Sequence, residues 1–341
     1  MQKKNLLLAI AALLFLSQSY VFAQKSIVDK YGQLSIKGIH MIGEHGDTVQ
    51  LRGMSLFWSQ WMDQYYNPEA VKWLRDDWKC TIVRAAMGVE KGGYLDNPEE
   101  EVAKVVTVVD AAIDLGIYVI IDYHSHEAHT DPEAAVKFFS QMAKKYASVP
   151  NIIYEVYNEP LQDASWSDDI KPYAEKVIKA IREHDKKNII VVGTRQWSQM
   201  VSEAAADPIK EDNIAYTMHF YAATHGKWLI NETKKAMDAG IAIFVTEWGT
   251  SPASGDGKLD LKRTQVYFDF MDEHKISWCN WSIADKVESS AALKPGASGK
   301  GGWKTDQLTE SGQFVRNELI LKNGPIFESL KKESKDKKKK K

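Results

Sequence analysis

The chain has 341 residues, 44% hydrophobic, 26% charged and 11% aromatic, with two cysteines. This is the composition of a globular protein with ample apolar residues for a core, and two cysteines exclude a disulfide-dense scaffold. The formal charge of −2 is unevenly spread: residues 1–23 carry +2 and residues 331–341 carry +6, so residues 24–330 carry −10. An acidic body argues against a nucleic-acid-binding domain.

Residues 1–23 read as an export signal. Lys3 and Lys4 precede the apolar run Leu6 to Leu16, which is too short for a comfortable membrane span, and "VFAQ" offers a cut after Ala23. The alternative is an uncleaved N-terminal anchor. The run is not followed by a cysteine, so a lipid anchor there is unsupported. The expected destination is the periplasm, the cell surface or the medium, with no membrane span after cleavage.

"YGQLSIKGIHMIGEHGDTVQLRG" (31–53) reads as a small hairpin covering one end of the domain, with "GEHGDT" as its turn. Eight β-rich segments follow: 49–56, 81–87, 117–124, 152–159, 188–194, 214–221, 242–249 and 277–284. The segments between them carry helical periodicity. "NPEAVKWLRDDW" starts with Asn67 as a cap and Pro68 at the first helical position, and "EEEVAKVVTVVDAAIDLG" ends at Gly116. The segment after Gly193 is the least helix-like link. Eight strand–helix repeats imply an α/β fold, a single (β/α)₈ barrel over residues 24–330. The lysine-rich residues 331–341 read as a disordered end, or as a segment adhering to an anionic surface. Cys80 and Cys279 each open a β-rich run, as two buried thiols or as one disulfide; a zinc site on two thiols is disfavoured. The eleven tryptophans serve as core filling or as stacking platforms for flat, apolar-faced ligands.

Chemistry in such barrels sits at the C-terminal ends of the strands. Those ends carry Arg84, His124, Asn158, Glu159, His219, Tyr221, Glu247 and Trp281. Two glutamates facing each other across a cleft are what glycoside hydrolysis needs, one to protonate the leaving oxygen and one to attack the sugar or activate water. The bland alternative is a pair of ordinary loop glutamates. "YHSH" places His124 and His126 in the His-x-His spacing of metal-dependent barrels, but no further ligand set is evident. In "YEVYNEP", Glu155 and Glu159 lie four apart, which on a strand puts both on the inward face. Glu159 falls at the rim, and Glu155 is expected to be a deeper structural carboxylate tied to Arg84 or another inward donor.

"IIYEVYNEP", "VRAAM", "DYHSH", "HFYAATH", "VTEWGTS" and "WCNWSIADKVESSAALKPGASGKGGW" resemble glycoside hydrolase family 5, the cellulase family, from "YGQLSIKG" to Trp303. The similarity is closest to bacterial endo-β-1,4-glucanases. It implies a retaining double displacement, with Glu247 as nucleophile and Glu159 as acid/base. Asn158 would bond the sugar 2-hydroxyl, and Arg84 and Tyr221 would hold the nucleophile ionised. His124 and His219 would line the central subsite, with Trp281 as its stacking platform. Lys286, Glu288 and Trp61 match the non-reducing side, and Trp197 matches the leaving-group side. Phe57 and Gly88 depart from the histidine and tyrosine of many relatives, which bears on chain-length preference. The resemblance further implies a β-1,4-glucan as the partner, no cofactor, no metal and a monomer. Mixed-linkage glucan, xyloglucan or mannan are alternative substrates, and a non-catalytic carbohydrate-binding barrel is the alternative of a different class.

Overall fold

The computed structural model describes residues 25–339, with side chains as far as Ser334; the segment read as an export signal lies outside the described residues. After a short helix α1 (Ile27–Tyr31), strands β1 (Ser35–Lys37) and β2 (His40–Ile42) form an antiparallel hairpin. The eight expected β-segments then all appear, as β3 (Arg52–Leu56), β4 (Ile82–Gly88), β5 (Tyr118–His124), β6 (Ile152–Glu155), β7 (Ile189–Val192), β8 (Ile214–Thr217) with its short continuation β9 (Phe220–Tyr221), β10 (Ile243–Gly249) and β11 (Trp278–Ile283). They pair in parallel in the order β11-β3-β4-β5-β6-β7-β8-β10, and pairing of β10 with β11 closes the ring. Helices α2 (Pro68–Asp76), α3 (Pro98–Leu115), α4 (Pro132–Tyr146), α5 (Lys171–His184), α6 (Val201–Ala206), α7 (Lys227–Asp238), α8 (Leu261–Glu273) and α9 (Glu310–Lys339) follow the strands. The architecture is a (β/α)₈ barrel. Its strands are buried along their length because helices cover the outer face and side chains fill the inner one.

Local chemistry sets the boundaries. The Asn67 side chain accepts from the Ala70 N–H at 2.9 Å and Pro68 opens α2, as the sequence predicts. Gly116, at φ 65°, stops α3 in the left-handed conformation that a side chain resists. Two expectations need correction. The hairpin turns at Gly38 (φ 59°) rather than at "GEHGDT", which makes a second reversal closed by Gly43 N–H to Asp47 O at 2.9 Å. The lysine-rich end is not disordered from Lys331 on. It continues α9 to Lys339, and Lys25 fastens it through Glu333 (2.9 Å) and Ser334 Oγ (3.0 Å). Lysine is a good helix former, so a packed helix can run on through it.

The hairpin covers the N-terminal mouth of the barrel, as expected. Gln33 donates to Asn188 Oδ1 at 2.8 Å, Ile36 N–H to Asn213 Oδ1 at 2.9 Å, and Tyr118 Oη to Gly32 O at 2.7 Å. Near the first strands, α9 contributes the buried Asn323, whose amide donates to Arg52 O (3.2 Å) and Lys79 O (2.8 Å). Cys80 and Cys279 are both buried free thiols.

Towards the C-terminal mouth the interior turns polar. Arg84 on β4 is fully buried and pairs with Glu155 Oε2 at 2.7 Å, Asp122 Oδ2 at 2.9 Å and Glu247 Oε2 at 3.1 Å. One guanidinium therefore answers three carboxylates. Burial pushes Asp122 up to about 7 despite the nearby Arg84 cation, and burial likewise raises Glu155.

Two consequences concern stability. Asn323→Ala removes the side-chain donor of Lys79 O, while Arg52 O keeps its bonds from Thr81, and is expected to cost about 1–3 kcal/mol, read as a lower urea midpoint at unchanged slope. Asp122 binds its proton more tightly folded than unfolded. Its contribution is therefore full below about pH 3.9 and is lost as the pH rises through about 7. Asp122→Asn keeps the neutral form, so its unfolding free energy should fall less than wild type's between about pH 4 and 7; parallel curves would contradict this assignment.

Candidate active site

The acid at the rim is placed by a break in its strand. β6 ends at Glu155, four residues earlier than Glu159, and the chain then bends over the barrel mouth. The inward-face argument from strand periodicity therefore holds for Glu155 and not for Glu159. Gly193 permits the bend, since a Cβ there would lie 2.2 Å from Tyr157 O and 2.9 Å from Pro160 Cδ. The segment is then locked from the other side: Ser198 Oγ donates to Asn158 O at 2.7 Å and Trp197 N–H to Pro160 O at 2.8 Å. Gln196, Trp197 and Ser198 adopt φ of 59°, 54° and 56° to make these contacts. Three consecutive side-chain-bearing residues in this region are strained, which is why the link after Gly193 carries so little helical signal.

Glu247, on β10, receives Tyr221 Oη at 2.7 Å on one oxygen and Arg84 Nη1 at 3.1 Å on the other. Glu159 meets His219 Nδ1 at 2.9 Å on Oε1 and His126 Nε2 at 3.1 Å on Oε2. Burial alone would raise the Glu159 carboxyl, but the hydrogen bonds and positive charge of the two histidines outweigh it and hold it well below the usual range. Both histidines are raised in return: burial opposes this, and the bond to Glu159 overcomes it. The proton of this cluster thus resides mainly on imidazole. Reaching atoms of Glu159, His219 and Glu247 lie within 4.8 Å of one another.

That trio is also a cluster of potential metal ligands among the described residues. Its imidazole is committed, however: Nδ1 to Glu159 at 2.9 Å and Nε2 to Thr246 Oγ1 at 2.9 Å. A metal would have to break one of those bonds, and the donor set fits hydrogen bonding better.

The two carboxylates open onto a cleft with two lobes that meet at Tyr221, Ala253 and Ser254. The first, of about 550 Å³, is lined by Trp61, Trp281, Lys286 and Glu288, with Phe57, Trp58, Glu90 and His126. The second, of about 470 Å³, holds Glu159, Glu247, His219 and Trp197, with His225. Trp61 and Trp197 are 51% and 40% exposed, so neither is a core residue. Trp281 is almost covered, and its inner face stacks on His124 at 5.0 Å and 3°. Lys286 pairs with Glu288 at 2.6 Å and lies 5.4 Å over the Phe57 ring. At Gly88 a Cβ would lie 1.7 Å from Gln60 Oε1, so the Gln60 side chain fills the space beside this glycine.

All twelve residues singled out from the sequence gather here, nine on the cleft walls, while Arg84, His124 and Asn158 form the layer beneath. Asn158 Oδ1 accepts from Arg84 Nη2 at 2.6 Å, which leaves its buried Nδ2 without a protein partner. His124 is packed edge-on by Trp58 at 4.2 Å and shares a 2.6 Å hydrogen bond with Asp122. Burial and Arg84 hold it well below its ordinary pKa, so it is neutral. The sequence reading missed Asp122, Thr246, Trp58 and the role of His126. Asp122 had a signal, lying two residues before His124 on the same strand face. Thr246 had none, because it acts only by joining His219 (2.9 Å) to Glu155 (2.6 Å).

Comparison with known proteins agrees with this geometry. The family model "Cellulase (glycosyl hydrolase family 5)" matches residues 42–287. The chain is 49% identical over 312 residues to Endoglucanase A of Evansella cellulosilytica, covering 90% of this chain and 64% of that protein. It is 45% identical to an endoglucanase of Clostridium saccharobutylicum, over 92% of this chain and 71% of the other. A solved structure from Cytophaga hutchinsonii is 66% identical with a TM-score of 0.89, covering 89% of this chain and 100% of that one. The catalytic domain of a Thermobifida fusca endoglucanase in complex with cellotetraose is 37% identical with a TM-score of 0.83, covering 86% and 99%. With the family model spanning most of the barrel and these identities along nearly all of it, the chain belongs to glycosyl hydrolase family 5, the cellulase family.

Proposed function

We propose that the protein is an endo-1,4-β-glucanase that cleaves internal bonds of β-1,4-glucan chains with retention of configuration. The observation that carries this reading is the spacing of the two carboxylates, with reaching atoms within 4.8 Å of one another. A retaining glycosidase needs its pair about 5–5.5 Å apart, and an inverting one needs about 6.5–9.5 Å to seat a water. Relatives named endoglucanase, and a neighbour in complex with cellotetraose, support a β-1,4-glucan as the partner.

In the first step Glu247 attacks the anomeric carbon while Glu159 protonates the departing oxygen. In the second, Glu159 takes a proton from water, which releases the sugar from Glu247. Tyr221 and Arg84 each donate to one oxygen of the nucleophile and aim it. The free Nδ2 of Asn158 is the donor for the sugar 2-hydroxyl. Trp281 stacks the sugar next to the scissile bond, with His124 fixing its plane and His219 orienting the acid. Trp61, Lys286 and Glu288 hold the non-reducing side, and Trp197 the leaving-group side. Every step is carried by these side chains, without cofactor or metal. We further read residues 1–23 as an export signal and residues 24–330 as one catalytic domain acting as a monomer outside the cytoplasm. No helix among the described residues is long and apolar enough to cross a membrane.

Activity on carboxymethyl cellulose separates this from a non-catalytic binding barrel. Wild type should hydrolyse it, Glu247→Gln should fall to background, and Glu159→Gln should lose about 10²–10⁴-fold. A chelator should change nothing. Hydrolysis surviving in Glu247→Gln would refute the mechanism, and a wild type inert on every β-glucan would favour the binding barrel. Relative rates on cellulose, lichenan, xyloglucan and mannan fix the preferred substrate.

A further inference from the structure

His126 stands out as a side chain on the cleft wall that touches the acid without being required by the two-carboxylate mechanism. It follows β5 on the open side of the cleft, its Nε2 lies 3.1 Å from Glu159 Oε2, and its side chain is 39% exposed. The Tyr157 hydroxyl pins its backbone carbonyl at 3.0 Å, and the Trp58 ring stands edge-on to the imidazole at 5.7 Å. His219, on the other oxygen of Glu159, is buried and tied at both nitrogens. Glu159 is therefore clamped between one fixed imidazole and one that faces the substrate lobe and solvent.

We propose that His126 is a positioning residue for Glu159, holding its outer carboxylate oxygen and sharing the proton that the acid step uses. This rests on the reading of Glu159 as the acid/base. As substrate binds, the Nε2 proton of the imidazolium crosses the hydrogen bond to Glu159 Oε2, leaving a neutral imidazole and a carboxylic acid. That acid gives its proton to the glycosidic oxygen as the C–O bond breaks. The water that cleaves the glycosyl-enzyme returns one proton to Glu159, from which it can pass back to His126, so the cycle balances. The groups facing His126 favour its charged form. Glu159 is in contact, Glu247 stands across the cleft, and Glu90 lines the same lobe and is hydrogen-bonded to Ser125. Glu127 and Lys91 line that lobe too, and the neutral His124 lies behind.

A proton shared among Glu159, His126 and His219 is lost at a higher pH than one shared between two of them. The test is the pH profile of kcat/KM for wild type, His126→Gln and His126→Ala, on two substrates. Cellotetraose needs acid assistance, whereas 2,4-dinitrophenyl β-cellobioside has a leaving group that departs without a proton. On cellotetraose the basic limb should move about one pH unit to lower pH in both variants. On the dinitrophenyl glycoside the loss in kcat/KM should be smaller than on cellotetraose, because its departure takes no proton. An unmoved basic limb would overturn the proposal, as would an equal loss on both substrates, which would mark His126 as a sugar contact. A wild type inert on both substrates would instead remove the glucanase reading itself.

Discussion

The guanidinium of Arg84 is the fixed point of this molecule. Fully buried, it bonds Glu155, Asp122, Asn158 and Glu247 from one position inside the barrel. Each carboxylate would be costly in this low-dielectric interior without its share of the cation. Burial still raises the pKa of Asp122 and Glu155 against the pull of Arg84. Glu247 thus takes a fixed direction from a cluster whose other members are buried.

The second glutamate is joined to the first through that same floor. From Arg84 the hydrogen bonds run to Glu155, on to Thr246, then to His219, and from His219 to Glu159. The two glutamates are therefore joined by a continuous network rather than held by two independent loops. Preorganisation of this kind is what a displacement reaction needs, since misplacement by an ångström costs orders of magnitude in rate. Phe57, Trp61 and Trp281 line the first lobe, and the Gln60 side chain occupies the space beside Gly88.

Much of this was legible in the sequence, and the reasons are specific. Eight β-rich runs alternating with helical segments imply a closed parallel barrel, and the C-terminal ends of those runs carry the rim residues. Glu155 could be assigned a structural role because a buried charge demands a partner, and Arg84 was the inward donor at hand. The position of Glu159 beyond its strand was not legible, because the bend depends on Gly193 from the next strand. The hairpin turn was misplaced because "GEHGDT" carries stronger turn chemistry than the Lys37–His40 connection that forms it. The helical run through Lys331–Lys339 continues α9, and its contacts from Lys25 to Glu333 and Ser334 are not visible in composition.

The central claim is that two carboxylates set this close act by double displacement. Proton NMR of the first sugar released from a β-1,4-linked oligoglucan, recorded before mutarotation, tests it most directly. The account requires the β-anomer to appear first and the α-anomer to grow in afterwards. An α-anomer at the earliest times would mean inversion by a single displacement and would contradict it.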